Sequence, residues 1–319
     1  MRNVTRLAVF SLVGLTASMS VAGPMNPRYV AASAAWVLHL DLDLLKQTEV
    51  GKVVMDELNT EDAVRKLAAL QAVFKFDPRK DLAGITVYGP DGKPEHGAAI
   101  LRGSFDADRI VTLLRASDGY QSTSRGNTVI HSWTDANNPD PTRTYGAVAP
   151  DGAVALGRSA AAVGSAVDVL AGRAPCVTRS ATLGRFDFPA GRPFLCVAAD
   201  AAVVPTNGPA AAMSLGQRTR AIEARLEESG GTLRARVTVE KETPELAVQL
   251  EQTMRGIIAI GMLQGRQQSP EAAKLADAIR IDTRGSAVDF VLSMPAADAV
   301  AFVRGQIEAG KAARARAFP

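Results

Sequence analysis

The sequence predicts an α+β protein in two similar halves, each an antiparallel sheet with helices on one face. Three observations carry this. Apolar and polar residues alternate in short runs, as in Ile222-Glu223-Ala224-Arg225-Leu226-Glu227, the period of a strand with one dry and one wet face. Turn residues join these runs in pairs, and a capped amphipathic helix comes after each pair. The resulting hairpin-helix units come two by two, and each pair is preceded by a lone strand.

Residues 1–22 stand apart from this pattern and read as a signal peptide. Arg2 and Arg6 give a positive start, and Leu7 to Leu15 an apolar run. Ser20 and Ala22 supply the small residues of a cleavage site after Ala22. The apolar run is short for a membrane anchor and passes into Thr16, Ser18 and Ser20. Later runs such as Ile257 to Leu263 are too short to span a bilayer. The expected location is periplasmic or extracellular in a bacterium, with no membrane span after cleavage.

The first half is expected over residues 23–172. Trp36 to Asp43 makes its lone strand, and Val50, Val53, Val54 and Leu58 give the spacing of a helix behind it. Gly89-Pro90-Asp91-Gly92 turns the first hairpin. Ser104 or Asp106 then caps a helix with Ile110, Val111, Leu113 and Leu114 on its buried side. Pro150-Asp151-Gly152 turns the second hairpin, and Ser159 caps a helix with the stripe Val163, Val167 and Leu170.

Gly172-Arg173-Ala174-Pro175-Cys176 marks the junction to the second half, residues 173–319. Phe194 to Ala199 is its lone strand. Residues 203–218, broken by Pro205, Asn207, Gly208 and Pro209, read as a connector. Ser229-Gly230-Gly231 turns the third hairpin. Thr243 caps a helix beginning at Pro244, with Leu246, Leu250, Met254 and Ile257 as its stripe. The polar stretch 265–270 reads as another connector. Thr283-Arg284-Gly285 turns the fourth hairpin, and Pro295 starts a last helix with Val300, Val303 and Ile307. The repeated order suggests an internal duplication.

Composition excludes some functions. Lys and Arg number 36 against 33 Asp and Glu, and the signal takes two of the Arg. The remainder is nearly neutral, without the basic face that nucleic-acid binding needs. Cys176 and Cys196 are the only cysteines. In an exported chain they are candidates for a disulfide, which would close a loop of about 21 residues and stabilise by about 3 kcal/mol in the chain-entropy picture. Two buried thiols are the alternative.

The candidate chemistry lies in Trp36 to Leu45, W-V-L-H-L-D-L-D-L-L. His39, Asp41 and Asp43 fall on one face of a strand, about 6.6 Å apart for neighbours two apart and about 13 Å for four. Zinc–ligand bonds are about 2 Å, so the three cannot hold one ion together. His39 and Asp41 are the candidate metal pair, and they need a further ligand from a neighbouring strand. Otherwise the row is the wet face of the strand, with Asp43 capping the helix after it. His96 reads as a loop residue and His131 as a half-buried strand residue. Neither shows ligand spacing such as H-E-x-x-H. Ser159, in Leu156-Gly157-Arg158-Ser159-Ala160-Ala161, sits between strand and helix as a nucleophile elbow does. Ala161 replaces the second Gly of that motif, and a cap is the plainer role. The chain carries no Walker A, G-x-G-x-x-G, S-x-x-K or C-x-x-C. No catalytic residue and no cofactor is assigned.

With its W-V-x-H-x-D-x-D first strand and the run A-V-A-L-G-R-S-A-A-A-V-G-S-A-V-D-V-L-A-G, the chain resembles a broad group of uncharacterised secreted bacterial proteins. The resemblance implies secretion and architecture, and it carries no activity. The function expected is a non-catalytic binding or envelope-associated module, with a ligand or an envelope protein as partner and a groove between the halves as the binding place. The alternative is a metal-dependent hydrolase using His39 and Asp41.

Overall fold

Twelve strands form one antiparallel sheet in the computed structural model, which describes residues 25–134, 142–186, 193–203, 216–268 and 277–317, together with Lys274. The expected signal, residues 1–22, and most of the connector 203–218 lie outside the described residues. The strand order is β11-β12-β10-β9-β8-β1-β2-β3-β7-β6-β5-β4. β1 (Trp36–Asp41) and β8 (Pro193–Asp200) are the lone strands foreseen, and they pair antiparallel at the centre, Trp36 opposite Ala199. The two halves therefore share one sheet. A lone strand at the rim of each half would leave a row of unpaired backbone groups, and pairing β1 with β8 satisfies both rims at once.

The hairpins lie where the turn residues put them. They are β2 (Leu82–Gly89) with β3 (Ala98–Gly103), β6 (Arg143–Val148) with β7 (Val154–Gly157), β9 (Thr219–Ser229) with β10 (Thr232–Lys241), and β11 (Ile279–Arg284) with β12 (Ala287–Pro295). Outward from the seam, β1-β2-β3-β7-β6 is answered by β8-β9-β10-β12-β11. The first half adds a hairpin of which the residue pattern announces only the strand around His131: β4 (Gln121–Arg125) and β5 (Thr128–Thr134), turning at Gly126. Its first strand, Gln-Ser-Thr-Ser-Arg, is fully exposed and carries no apolar alternation to reveal it.

Directly paired residues point to the same side of a sheet, so the register defines its two faces. One row crosses all twelve strands: Thr123, Ile130, Ala147, Ala155, Ile100, Thr86, His39, Cys196, Arg225, Arg236, Val291 and Arg280. This first face is dry from β5 to β8 and charged beyond. α6 (Ala160–Leu170) covers its dry part, with Val163, Ala166 and Val167 fully buried against Ile100, Ala147 and Ala155. Ser159 caps α6 as expected, accepting from the N–H of Ala162 at 3.2 Å.

The second face carries the other long helices. α5 (Ala107–Arg115), capped by Asp106, lies over β5. α7 (Pro244–Gln268) packs on β10, β11 and β12 through Ala247 and Leu250. α8 (Ala296–Ala317) packs on β10, β12 and α2 (Glu49–Glu57). The expectation of helices on one face thus holds for these, and α6 departs from it. Its apolar stripe matches the first face, where the inward residues of β3, β6 and β7 are Ile and Ala. α7 also runs through residues 265–268, where the sequence suggests a connector.

Candidate functional site

The polar row of the first strand is not a wet face. In β1 it is Val37, His39 and Asp41 that are buried, whereas Trp36, Leu38 and Leu40 are only half-buried. His39 and Asp41 are each 5% exposed. The strand sits at the sheet's centre, where the first face is still dry, so its polar side chains are buried with the core. The same face is charged three strands away, in Arg234, Arg236 and Glu240 of β10, and the wet-face reading belongs there.

The three polar residues part company in the structure. His39 Nδ1 meets Thr86 Oγ1 at 2.9 Å, and Nε2 is buried with no partner among the described residues. Burial lowers the imidazole pKa from its usual 6.5 to about 4, so the ring is neutral at ordinary pH. Asp41 caps α1 (Leu42–Gln47), its Oδ1 accepting from the Leu44 N–H at 2.9 Å, and burial raises its pKa. Asp43, the cap that the alternation suggests, lies inside α1 instead, paired with Lys46 at 3.1 Å. The strand ends earlier than its alternation implies, because an N-cap needs extended backbone, which Asp41 has.

A metal pair at His39 and Asp41 needs a ligand from a neighbouring strand. Thr86 and Cys196 flank His39 on β2 and β8. Cys196 is buried, and burial pushes its thiol up to about 11. Among the described residues no group of three or more His, Cys, Asp or Glu side chains is placed to share an ion. A second buried atom without a partner, Tyr88 Oη, lies on the same face, opposite Val37. Cys176 and Cys196 are both free thiols. His96 is an exposed loop residue bonded to Asp91 at 2.7 Å. Ser159 Oγ donates to the Glu95 carbonyl while it caps α6, so it has the plain role.

The arrangement best suited to hold a ligand is elsewhere, on the second face beneath α5. A cavity of about 270 Å³ opens between that helix and strands β3, β5, β6 and β7. Ile110, Val111 and Leu114 of α5 face Leu101, Val154 and Leu156 across it. Phe76 and Phe105, stacked at 5.3 Å, also line it. Trp133 stands on β5, its ring against Gly146, where a Cβ would come within 3.1 Å of the indole. α5 has no fully buried residue in spite of its apolar stripe, because the stripe borders space instead of side chains. At about 25 cal/mol per Å², such incompletely buried apolar surface is free energy that a bound apolar group can recover.

His131 is the titratable side chain on this lining. It is 5% exposed, and its Nδ1 meets Tyr120 Oη at 2.9 Å with the rings stacked at 5.9 Å. Burial lowers its pKa, with a smaller contribution from the Arg115 guanidinium nearby. The strand alternation at His131 is legible in the sequence. The wall it belongs to is not, since β4 and the turn at Gly126 carry no apolar pattern. The groove expected between the halves is replaced by strand pairing of β1 with β8, and the apolar cavity belongs to the first half alone.

No protein-family model matches the chain, and no curated protein matches it. Among solved structures the chain is similar to crystal form III of TP0453, at a TM-score of 0.47 and 10% identity over 88% of this chain and 97% of that one. It is similar also to crystal form I of TP0453, at a TM-score of 0.46 and 11% identity over 88% and 96%.

Proposed function

We propose that the protein is an exported, non-catalytic binding module that holds a small apolar ligand in the cavity beneath α5. The observation that carries this is an amphipathic helix whose apolar face borders 270 Å³ of open apolar space. Small-molecule sites are concave, mostly apolar and few per protein. The volume lies just below their usual range of about 300–1,000 Å³, which favours one short ligand. Export is supported by the composition of residues 1–22, and no helix among the described residues is long and apolar enough to cross a membrane.

The test uses a neutral environment-sensitive dye, N-phenyl-1-naphthylamine. It should bind the whole protein with one-to-one stoichiometry. Leu114→Trp fills the cavity from the helix side and should abolish binding while the melting temperature is kept or raised. Equal dye binding by both proteins would overturn the proposal.

A second reading has one observation in its favour. The unpartnered Nε2 of His39, two residues from Asp41, suits a metal-dependent hydrolase in which both are ligands. It requires stoichiometric metal in the purified protein and a melting temperature that falls with chelator. Elemental analysis finding none would remove it.

A further inference from the structure

A second cavity, of about 770 Å³, opens at the C-terminal end of α6 and shares no lining residue with the one beneath α5. It is bounded by that helix end and by two short helical turns, Pro27–Tyr29 and Val177–Arg179. Its lining holds three guanidinium side chains, Arg28, Arg173 and Arg179, and no Asp or Glu. Val169 and Leu170 of α6 give it an apolar part.

The backbone brings the arginines together. Ala31 and Cys176 form an antiparallel bridge, flanked by the Val177 N–H donating to the Val30 carbonyl at 2.8 Å and the Ala32 N–H donating to the Pro175 carbonyl at 3.0 Å. Val30 and Val177 are fully buried beside it, so the clamp is part of the core. In an antiparallel pair, residues before one partner lie alongside residues after the other. Arg28 comes three residues before Ala31 and Arg179 three after Cys176, so both are delivered to the same end of the bridge.

The charges there are not balanced. Arg173 is bonded to Asp168 at 2.8 Å, and Asp168 also holds Arg125 at 2.6 Å. Tyr29, on the same lining, donates to Asp151 at 3.0 Å, and Asp151 pairs with Arg102 at 3.1 Å. Both carboxylates thus have cations of their own and lie off the lining. The guanidiniums of Arg28 and Arg179 have no hydrogen-bond or ion-pair partner among the described residues. The carbonyl end of α6 brings about half a negative charge, too little to offset the two. An anion bound between them would remove their repulsion, and the arginine fork matches the paired oxygens of carboxylate and phosphate.

We propose that this cavity binds a small organic molecule carrying two or more carboxylate or phosphate groups. Those groups lie against Arg28 and Arg179, with Arg173 adding its charge, and the body of the molecule lies against Val169 and Leu170. The volume falls inside the usual range of small-molecule sites, about 300–1,000 Å³. The site does not depend on the apolar cavity beneath α5 and takes a different ligand.

Cys176 also lines this cavity and is half-buried, whereas Cys196 is buried, so one thiol reports on the site. The experiment follows alkylation of Cys176 by N-ethylmaleimide, a neutral reagent, using mass spectrometry at pH 7 and a constant ionic strength of about 0.15 M. Citrate and pyrophosphate are the probes. One or both should slow the alkylation of the wild type and do so saturably. Arg28 and Arg179 are exposed, so Arg28→Gln and Arg179→Gln are expected to fold, and a thermal melt checks this. Each should raise the anion concentration for half protection about ten-fold or more, the loss of one charge-assisted bond. Arg280→Gln removes the same charge from an exposed position on β11 and should leave that concentration unchanged. Failure of both anions to slow the alkylation, or equal protection in all three variants, would overturn the inference and leave the apolar cavity beneath α5 untouched.

Discussion

Acidification should unfold this protein partly through His39, and the amount can be worked from its burial. The ring is 5% exposed at the centre of the sheet, and its pKa falls from 6.5 to about 4. The unfolded chain takes up a proton near pH 6.5, and the folded chain only near pH 4. Between these values the unfolded state holds more protons, so stability rises with pH there and falls on acidification. At pH 5 the imbalance amounts to about 2 kcal/mol relative to pH 7, and it saturates near about 3 kcal/mol below pH 4. The perturbation is His39→Asn, which keeps a polar atom near Thr86 and cannot titrate. Asp41 and His131 titrate in both proteins, so the difference between variant and wild type isolates His39. Urea titrations at pH 7, 6 and 5 give unfolding free energies for each. The variant should gain about 2 kcal/mol on the wild type between pH 7 and pH 5. A difference that does not change with pH would refute the burial argument, whatever its absolute size.

Two further pairs of substitutions test the local assignments. Asp41→Ala removes the cap of α1 and should lower stability by about 1 kcal/mol, whereas Asp43→Ala, which breaks only the half-exposed pair with Lys46, should cost a few tenths; equal urea midpoints for the two variants would show that the cap is misplaced. Gly51→Ala would put a Cβ 1.7 Å from the Leu45 carbonyl oxygen, backbone that no rotamer can relieve, and should destabilise by more than about 3 kcal/mol. Gly256→Ala in α7 meets nothing within 4 Å and should stabilise by about 1 kcal/mol. Same-sign shifts in melting temperature for the two glycines would contradict the packing described.

The hairpin-helix units are legible in the sequence because each carries its own local signals. Thr243 before Pro244, Ser159 before Ala160, and the glycines at 230–231 and 285 all do in the structure what their chemistry suggests. The join between the halves is not legible, because nothing local in Trp36 to Asp41 or Pro193 to Asp200 says which strand lies alongside. That missing neighbour also decides the fate of His39. Alternation places His39 and Leu40 on opposite faces, but only the sheet order determines which face is covered. Here the polar set goes inside, since β1 lies where α6 and the segments around Val30 and Val177 keep the first face dry. The cavity is hidden for the same reason. Ile110, Val111 and Leu114 have the spacing of a buried stripe, and only the distance between α5 and β5 reveals that they border open space.

α5 stands off the sheet over an apolar cavity that stays open. Xenon enters dry apolar cavities of this size. A crystal of the full chain under xenon pressure should therefore show a xenon site bounded by Leu101, Leu114 and Trp133, with no shift of α5. A crystal in which α5 has closed onto β5 and β6, with Leu114 against Leu156 and no xenon between them, would contradict the account.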